Sequence, residues 1–430
     1  MNQYAAMSRE ELLGEREHLS AMYKGFEEAG LSLNMARGKP SPTQLSLSMD
    51  MLKVLNEDED MKAESGDDVR NYGLVDGIKE AKDLMAQMME CDPANVMIMG
   101  NASLNIMYDM IARSYAFGIM GNTPWCKLDK VKFLCPVPGY DRHFLVTQDF
   151  GIEMINIPMS ESGPDMDLVE QYVNNDPAVK GIWCVPKYSN PQGVVYSDET
   201  VKRFANLKPA AKDFRIFWDN AYCVHHLYEE PENQRKIPDI LKECEKAGNP
   251  DMVYEFGSTS KVTFAGAGIS AVAASEANRG EIKKHLTVQT IGFDKVNQLR
   301  HVRFLRDRAG IDEHMKKHAA LLRPKFEMVE KLLNDEIVAR GIGSFMHVVG
   351  GYFICFESLP GCAKDIVARC KTAGVTLTGA GAPFPYGKDP DDSVIRIAPS
   401  YPEIDELKKA MDVFVVCVKL ASIDKILETK

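Results

Sequence analysis

The chain has 430 residues, which is too long for one typical hydrophobic core and predicts two or three domains. Its hydrophobic share of 45% and charged share of 26% are typical of soluble globular proteins. A net charge of −11 argues against a nucleic-acid-binding surface, which needs a basic electrostatic field, but it leaves room for a local basic pocket.

The ten cysteines form no C-x-x-C pair, and several lie in apolar runs, such as Cys135 in VKFLCP and Cys417 in VFVVCVKL. We interpret them as reduced core residues rather than as a disulfide framework or a metal site. The polar N-terminus lacks the apolar run of a signal peptide, and the longest apolar stretch, near residues 411–418, is too short to span a bilayer. We therefore expect a cytoplasmic protein with no membrane partner and no bound metal.

In chain order, the first predicted helix covers residues 8–30, with Ser8 and Glu11 as a capping box. A Pro-, Ser- and Gly-rich extended segment follows, and a turn at 71–77 leads into a helix over 78–90. Beyond it, short β-rich runs alternate with amphipathic helical stretches. The predicted strands cover residues 96–99, 132–135, 154–157, 181–185, 215–218, 252–256 and 271–274.

This alternation predicts an α/β fold with a mostly parallel seven-stranded sheet, covered by helices on both faces. Residues 295–340 are predicted to be long helices, and a smaller α+β section follows, with strands near 351–356 and 394–397. The predicted division is an N-terminal helix and extended segment that is part of the small domain, a large domain, and a C-terminal small domain. The ranges are 1–50, 51–300 and 301–430.

Residues 254–270, YEFGSTSKVTFAGAGIS, place Lys261 in a turn of small residues directly after a predicted strand. A lysine amine needs a pocket that lowers its pKa before it can form a Schiff base. The neighbouring hydroxyl residues Ser258 and Ser260 suit a lysine that approaches a bulky phosphorylated ligand. The alternative is a solvated lysine in an ordinary surface loop.

Other candidate residues also follow predicted strands. Backbone amides at Ala102 and the hydroxyl of Ser103 can form an anion site, or this turn is only a helix cap. Tyr140, on a Pro-Gly turn, can stack on a flat ring or pack within a surface turn. Asn190, in N-P-Q-G, can direct its amide outward, although such a motif is often only a turn.

Two charged residues lie in apolar strands. Asp219 follows Ile-Phe-Trp and needs a cationic partner, either in a catalytic site or in a buried ion pair. Arg396, in VIRIAP, presents a planar fork that suits the carboxylate of a substrate or of a neighbouring acid. An anion loop, an aromatic ring, an amide, an acid and a lysine at successive strand ends match the requirements of pyridoxal 5'-phosphate (PLP).

The motif order Y-G, G-N-A-S, P-G-Y, N-P-x-G, D-x-A-Y, S-x-x-K and R-I-A, from Tyr72 to Arg396, resembles the class I aminotransferase family of fold type I PLP enzymes. The segments ARGKP at 36–40, GNAS and SKVTFAGAG resemble a bacterial branch of aspartate aminotransferases. The resemblance covers nearly the whole chain. It implies a PLP-dependent transferase fold and ping-pong transfer of an amino group from L-aspartate to 2-oxoglutarate.

The resemblance also implies a role for each matching residue. Lys261 would form the Schiff base and move a proton between Cα and C4′, while Asp219 would pair with the pyridinium nitrogen. Asn190 and Tyr222 would hydrogen-bond the phenolic oxygen of the ring, and Tyr140 would stack on the ring. His143 could support Asp219 from behind.

The remaining implied contacts hold the phosphate and the substrate. Arg396 would bind the substrate α-carboxylate, with Asn190 and Gly38 beside it. The implied phosphate-binding residues are Asn101, Ala102, Ser103, Ser258 and Tyr72 of the partner subunit. A site completed by a second subunit implies a homodimer with shared active sites.

The sequence departs from the family pattern at Ile269, because many relatives carry a phosphate-binding arginine about eight residues after the lysine. The motifs also do not identify the residue that would bind the distal carboxylate of a dicarboxylic substrate. Four basic residues are candidates, and the sequence does not distinguish among them. These candidates are Arg37, Arg142, Lys295 and Arg300.

Two alternative functions stay open at this stage. A related enzyme could act on another amino acid or catalyse β-elimination or β-decarboxylation. A non-catalytic PLP-binding effector domain, as in transcription factors fused to such modules, is disfavoured because residues 1–50 hold only one helix and an extended segment and the chain is acidic.

Overall fold

Helices and strands alternate along the part of the chain that the computed structural model describes, residues 2–56 and 60–430. The helices are α1 Gln3–Ala6, α2 Arg9–Glu28, α3 Pro42–Ser46, α4 Lys79–Met89, α5 Ser103–Phe117, α6 Asp141–Asp149, α7 Met166–Asn175, α8 Asp198–Ala205, α9 Ile240–Lys246, α10 Glu276–Gln289, α11 Lys295–Leu305, α12 Arg308–Glu336, α13 Ala363–Thr372 and α14 Ile404–Leu427. The strands are β1 Leu33–Asn34, β2 Val96–Ile98, β3 Lys132–Val137, β4 Glu153–Ser160, β5 Gly163–Pro164, β6 Val179–Cys184, β7 Arg215–Asp219, β8 Val253–Ser258, β9 Ser270–Ala273, β10 Gly343–Phe345, β11 Ile354–Ser358, β12 Val375–Thr376 and β13 Val394–Ile397.

The central sheet has the strand order β2-β9-β8-β7-β6-β3-β4-β5. Strands β4, β3, β6, β7 and β8 are parallel, whereas β9 is antiparallel to both of its neighbours. All seven predicted strands belong to this sheet, and the prediction of a mostly parallel sheet is confirmed. The predicted number is one too low, because β5 adds an eighth strand of only two residues, which is too short to leave a periodic pattern.

The inner strands are buried on both faces, as expected for parallel strands covered by helices. Every residue of β6 and β7 is buried. Along β7, Ile216 and Trp218 pack in one hydrophobic cluster with residues of α4, while Phe217 between them packs in a second cluster with residues of α5. This alternation follows from the two-residue period of a strand and fixes the register of β7.

A second, smaller part of the fold is built from segments near both ends of the chain. Strands β10, β11 and β13 form an antiparallel sheet, and β1 pairs in parallel with β12. Leu12 and Leu19 of α2 are buried in the same cluster as Phe414 and Val418 of α14. The N-terminal segment therefore packs with the C-terminal part of the chain, and the domain boundaries given above stay a prediction.

Helix α2, Arg9–Glu28, matches the helix predicted over residues 8–30, and the four-residue helix α1 before it was not predicted. Ser8 caps α2 and Glu11 closes the reciprocal capping box.

Eight of the ten cysteines are buried, and all ten are free thiols. Within residues 2–56 and 60–430, no helix has both the length and the apolar character needed to cross a membrane.

Candidate active site

A cleft of about 520 Å³ opens where β3, β6, β7 and β8 end. These strands are neighbours in the sheet, so the residues that follow them meet at one edge, as expected for ligand sites in α/β sheets. The predicted residues that line the cleft are Gly38, Ala102, Ser103, Tyr140, Asn190, Asp219, Tyr222, Ser258, Lys261 and Arg396.

Asp219 is the last residue of β7 and is only 3% exposed. Its Oδ2 lies 3.0 Å from Nε2 of His143, whose ring stacks on Trp183 at a centroid distance of 4.4 Å. Its Oδ1 is buried and has no hydrogen-bond partner among the described residues. An unpaired carboxylate oxygen in such a position is costly unless a ligand donates to it.

Lys261 follows β8 by three residues and lines the same cleft. Burial lowers the pKa of its amine, the charge of Asp219 opposes this shift, and the charge of Arg396 adds to it. The amine lies 5.0 Å from the centroid of the Tyr222 ring. A lysine in this setting has a larger neutral fraction, which is the nucleophilic and basic form.

The loop that carries Lys261 is anchored through its backbone. The carbonyl of Lys261 lies 3.3 Å from Nε2 of His225 and 3.4 Å from the hydroxyl of Tyr352. The next carbonyl, of Val262, accepts from His314 at 2.7 Å. It also accepts from His318 at 3.0 Å.

These histidines are uncharged donors at neutral pH. Burial lowers the pKa of His318 to about 3, with the charge of His314 as a second cause. Burial also lowers the pKa of His225 and of His314. Neutral imidazoles can hold the two carbonyls without placing a positive charge behind Lys261.

Arg396, on β13, is held by three polar partners. Its Nη1 lies 2.8 Å from Oδ1 of Asp141 and 3.3 Å from Oδ1 of Asn190. Its Nη2 donates to the hydroxyl of Thr378 at 3.2 Å. Its Nε is buried without a partner among the described residues, and Nη2 carries a second N–H, so two donors of a fixed guanidinium remain for a ligand.

Gly38 belongs to the same wall of the cleft. The guanidinium of Arg396 lies 4.8 Å from the centroid of the Phe353 ring. A Cβ atom at Gly38 would lie 2.3 Å from Cζ of that ring. Any side chain at this position would therefore displace the ring that supports Arg396.

Tyr140 and Tyr222 are phenols that stay protonated at neutral pH. Burial raises the pKa of Tyr140 to about 12, with the carboxylates of Asp219 and Asp141 as further causes. Burial also raises the pKa of Tyr222 well above its ordinary value. Both hydroxyl groups can therefore donate hydrogen bonds within the cleft.

The start of α5 and the loop after β8 offer donors for an anion in the cleft. Helix α5 begins at Ser103, and its N-cap residue, Ala102, makes no side-chain capping bond. The hydroxyl of Ser258 donates to that of Ser260 at 3.1 Å. Ile269 is only 1% exposed and brings no charge, so an anion here meets amides and hydroxyls.

Some predicted residues do not line the cleft. Asn101 directly precedes the N-cap of α5, and the side chain of Tyr72 is largely exposed. Lys295 is buried at the start of α11, and Arg300 donates to Oδ1 of Asn297 within that helix. Of the four candidates for a distal carboxylate, only Arg37 and Arg142 are among the residues that line the cleft.

Three residues that build the site have no role in the predictions from sequence. Asp141 and Thr378 bind Arg396, and Phe353 lies under its guanidinium. Asp141 directly follows Tyr140, so its place in the P-G-Y-D turn was a usable signal. Thr378 and Phe353 lie in segments whose patterns predict only local structure.

Comparison with known proteins agrees with this geometry. The family model for aspartate amino-transferase matches residues 7–430. The chain is similar to an aspartate aminotransferase of Corynebacterium glutamicum, with 43% identity over 432 residues that cover 98% of this chain and 99% of that protein. It is also similar to the crystal structure of an aspartate transaminase from the same species, with a TM-score of 0.95, 42% identity and coverage of 99% of each chain.

A more distant structure shares the fold. It is an α-aminoadipate aminotransferase from Thermus thermophilus, solved in complex with N-(5'-phosphopyridoxyl)-L-leucine, with a TM-score of 0.71 and 18% identity over 93% of this chain and 94% of that chain. The predictions of family and of fold type I are confirmed. Because the family model matches residues 7–430, and an aspartate aminotransferase is 43% identical over nearly the full length of both chains, this chain belongs to the aspartate aminotransferase family and is an aminotransferase.

Proposed function

We propose that the protein is a PLP-dependent L-aspartate:2-oxoglutarate aminotransferase. The observation that carries this proposal is the meeting of Lys261, whose pKa is lowered by burial, with the half-paired carboxylate of Asp219 in one cleft. The similarity to an aspartate aminotransferase over nearly the full chain supports the choice of substrate.

The cleft residues fit PLP in three respects. The unpartnered Oδ1 of Asp219 suits a protonated ring nitrogen. The open N-terminus of α5 and the hydroxyl of Ser258 suit a phosphate. Lys261 supplies the amine that PLP requires. When bound, PLP supplies an aldehyde that joins amines and a ring that accepts electrons from the substrate Cα.

The protein's own residues would then orient the substrate and move its protons. Arg396 binds the α-carboxylate through its free Nε, and this contact fixes the direction of the Cα–H bond. The neutral amine of Lys261 would take the proton from Cα and deliver it to C4′ within the first half-reaction, and it would move a proton in the reverse direction, from C4′ to Cα, in the second. Asn190, whose Oδ1 faces Arg396, keeps its amide nitrogen as a donor, and the phenol of Tyr222 provides a second donor.

We propose in addition that the active species is a homodimer in which Tyr72 completes the partner's site. Its side chain is 81% exposed in one chain, which is unusual for a large aromatic residue. A tyrosine at such a position gains burial if a second copy covers it.

A cofactor absorbance titration tests the proposal. L-Aspartate added to the purified holoenzyme should bleach the absorbance band of the bound cofactor, and 2-oxoglutarate should restore it. Oxaloacetate should form in the first half-reaction. Formation of pyruvate with ammonia, or of alanine, would instead identify β-elimination or β-decarboxylation, and a band that no amino acid bleaches would contradict the proposal.

Replacing the lysine gives the first prediction. Lys261→Ala should lower kcat by a factor on the order of 10⁴, because it removes both the covalent attachment and the base. Lys39→Ala is the matched control, since Lys39 lines the same cleft with its amine 4.0 Å from the centroid of the Tyr401 ring. Rates of oxaloacetate formation measure both variants, and comparable losses in the two would contradict the assignment.

A further inference from the structure

We infer that Arg37 and Arg142 bind the side-chain carboxylate of a dicarboxylic substrate, and that both belong to the chain that holds the reacting lysine. This inference rests on the proposed function and adds the residues that set its substrate preference.

The cleft offers few free cations. Five basic residues line it: Arg37, Lys39, Arg142, Lys261 and Arg396. Lys261 is assigned to the chemistry, Arg396 is held by Asp141, Asn190 and Thr378, and the amine of Lys39 lies over the ring of Tyr401. The guanidinium groups of Arg37 and Arg142 make no hydrogen bond or ion pair within residues 2–56 and 60–430.

Both arginines are neighbours, in sequence, of residues that surround Arg396. Arg37 precedes Gly38, which abuts the Phe353 ring under Arg396. Arg142 follows Asp141, whose carboxylate is 2.8 Å from Arg396. Two guanidinium groups therefore line the same cleft as Arg396, one on the N-terminal segment and one on α6.

The charges of the cleft favour a second carboxylate at this place. Its own carboxylates, Asp141 and Asp219, already have Arg396 and His143 as partners. A guanidinium can bind a carboxylate through two parallel hydrogen bonds, which a lysine cannot do. Both arginine side chains are exposed, so water solvates them when no carboxylate is bound, and either can turn towards a carboxylate in the cleft.

Substitution with glutamine tests this inference, because it removes the charge and keeps hydrogen-bonding capacity. Arg37→Gln and Arg142→Gln should each lower the ratio of kcat/KM for L-aspartate to kcat/KM for L-alanine by about tenfold, and the double variant by about 100-fold. Lys39→Gln, on the same segment as Arg37, is the matched control and should leave the ratio within about twofold. A double variant that keeps the ratio of the unaltered enzyme would overturn the inference.

A binding measurement separates this inference from the proposed function. Succinate and propionate have similar chains, but only succinate carries a second carboxylate. In calorimetric titration of the holoenzyme, the double variant should lose affinity for succinate about 100-fold and for propionate by less than about threefold. Equal losses for both ligands would contradict the assignment even where aspartate turns over, whereas an enzyme that never converts aspartate but shows the succinate effect would reject only the proposed reaction.

Discussion

Asp219 shows how a single buried carboxylate can be prepared for a ligand. His143 engages one of its oxygens, and the other oxygen has no partner in the described part of the chain. The stacking of His143 on Trp183 holds this pair in place. The carboxylate therefore keeps one face free at the edge of the cleft.

Removing this charge gives a second prediction. Asp219→Asn should lower kcat by a factor on the order of 10³, because an amide of equal size cannot stabilise a positive charge on a ring nitrogen. His143→Gln should cost only about tenfold, since it acts through Asp219. Steady-state rates with L-aspartate measure both variants, and an Asp219→Asn enzyme with full activity would contradict the assigned role.

Glu255 is a buried acid that the chemistry does not use. Burial raises the pKa of Glu255 from 4.5 to about 8, while the hydrogen bond from Asn220 opposes the shift. Between these two pH values the folded protein keeps a proton that the unfolded chain has lost. This group therefore stabilises the fold at low pH, and its contribution is lost as the pH rises towards 8.

The resulting third prediction concerns the pH dependence of stability. The melting temperature of Glu255→Gln minus that of wild type should be about 2–4 °C larger at pH 8 than at pH 5. The reason is that glutamine carries no charge at either pH, whereas Glu255 becomes costly to bury as it loses its proton. Calorimetric scans at the two pH values measure the difference. A variant whose difference from wild type is the same at both pH values would show that Glu255 does not titrate in this window.

At the scale of elements, the loop after β8 depends on helix α12. His314 and His318 are one helical turn apart, so both reach the carbonyl of Val262. Helix α12 therefore helps to fix the backbone next to Lys261, in addition to the contacts within the loop itself.

A fourth prediction follows from this contact. His318→Leu should lower kcat about tenfold while KM for L-aspartate stays within about twofold, because Lys261 loses its position and Arg396 does not. His347→Leu is the control, since His347 is a half-exposed residue that pairs with Glu330. Equal changes in kcat and KM would indicate a general loss of structure instead.

Much of this element arrangement could be predicted from sequence. The seven predicted strands of the sheet are apolar runs bounded by turn residues, and the parallel order of β4, β3, β6, β7 and β8 brings the carboxyl ends of these five together. Strands β1, β5 and β12 have two residues each and leave no periodic signal.

Contacts between distant segments are the part that the sequence could not supply. Asp141 and Arg396 form an ion pair across 255 positions, and no local pattern relates them. The sequence also could not select the residue that binds the distal carboxylate from its four basic candidates, because the selection depends on which of them line the cleft.

For the whole molecule, the exposure of Tyr72 leads to the fifth prediction. Tyr72→Ala and Lys261→Ala should each be nearly inactive as homodimers, because each damages every site. Mixed subunits should recover about a quarter of the wild-type activity, since about half of the dimers then contain one intact site. Activity assays after subunit exchange, with sedimentation to confirm the dimer, measure this recovery, and mixtures that stay inactive would contradict a shared site.

The central claim is that Lys261 carries PLP, with Asp219 at the opposite end of the ring. The most direct test is borohydride reduction of the holoenzyme, followed by mass spectrometry of its peptides. We expect one pyridoxyl group per chain, on Lys261. A label on any other lysine, or no label on a holoenzyme that contains PLP, would contradict the account.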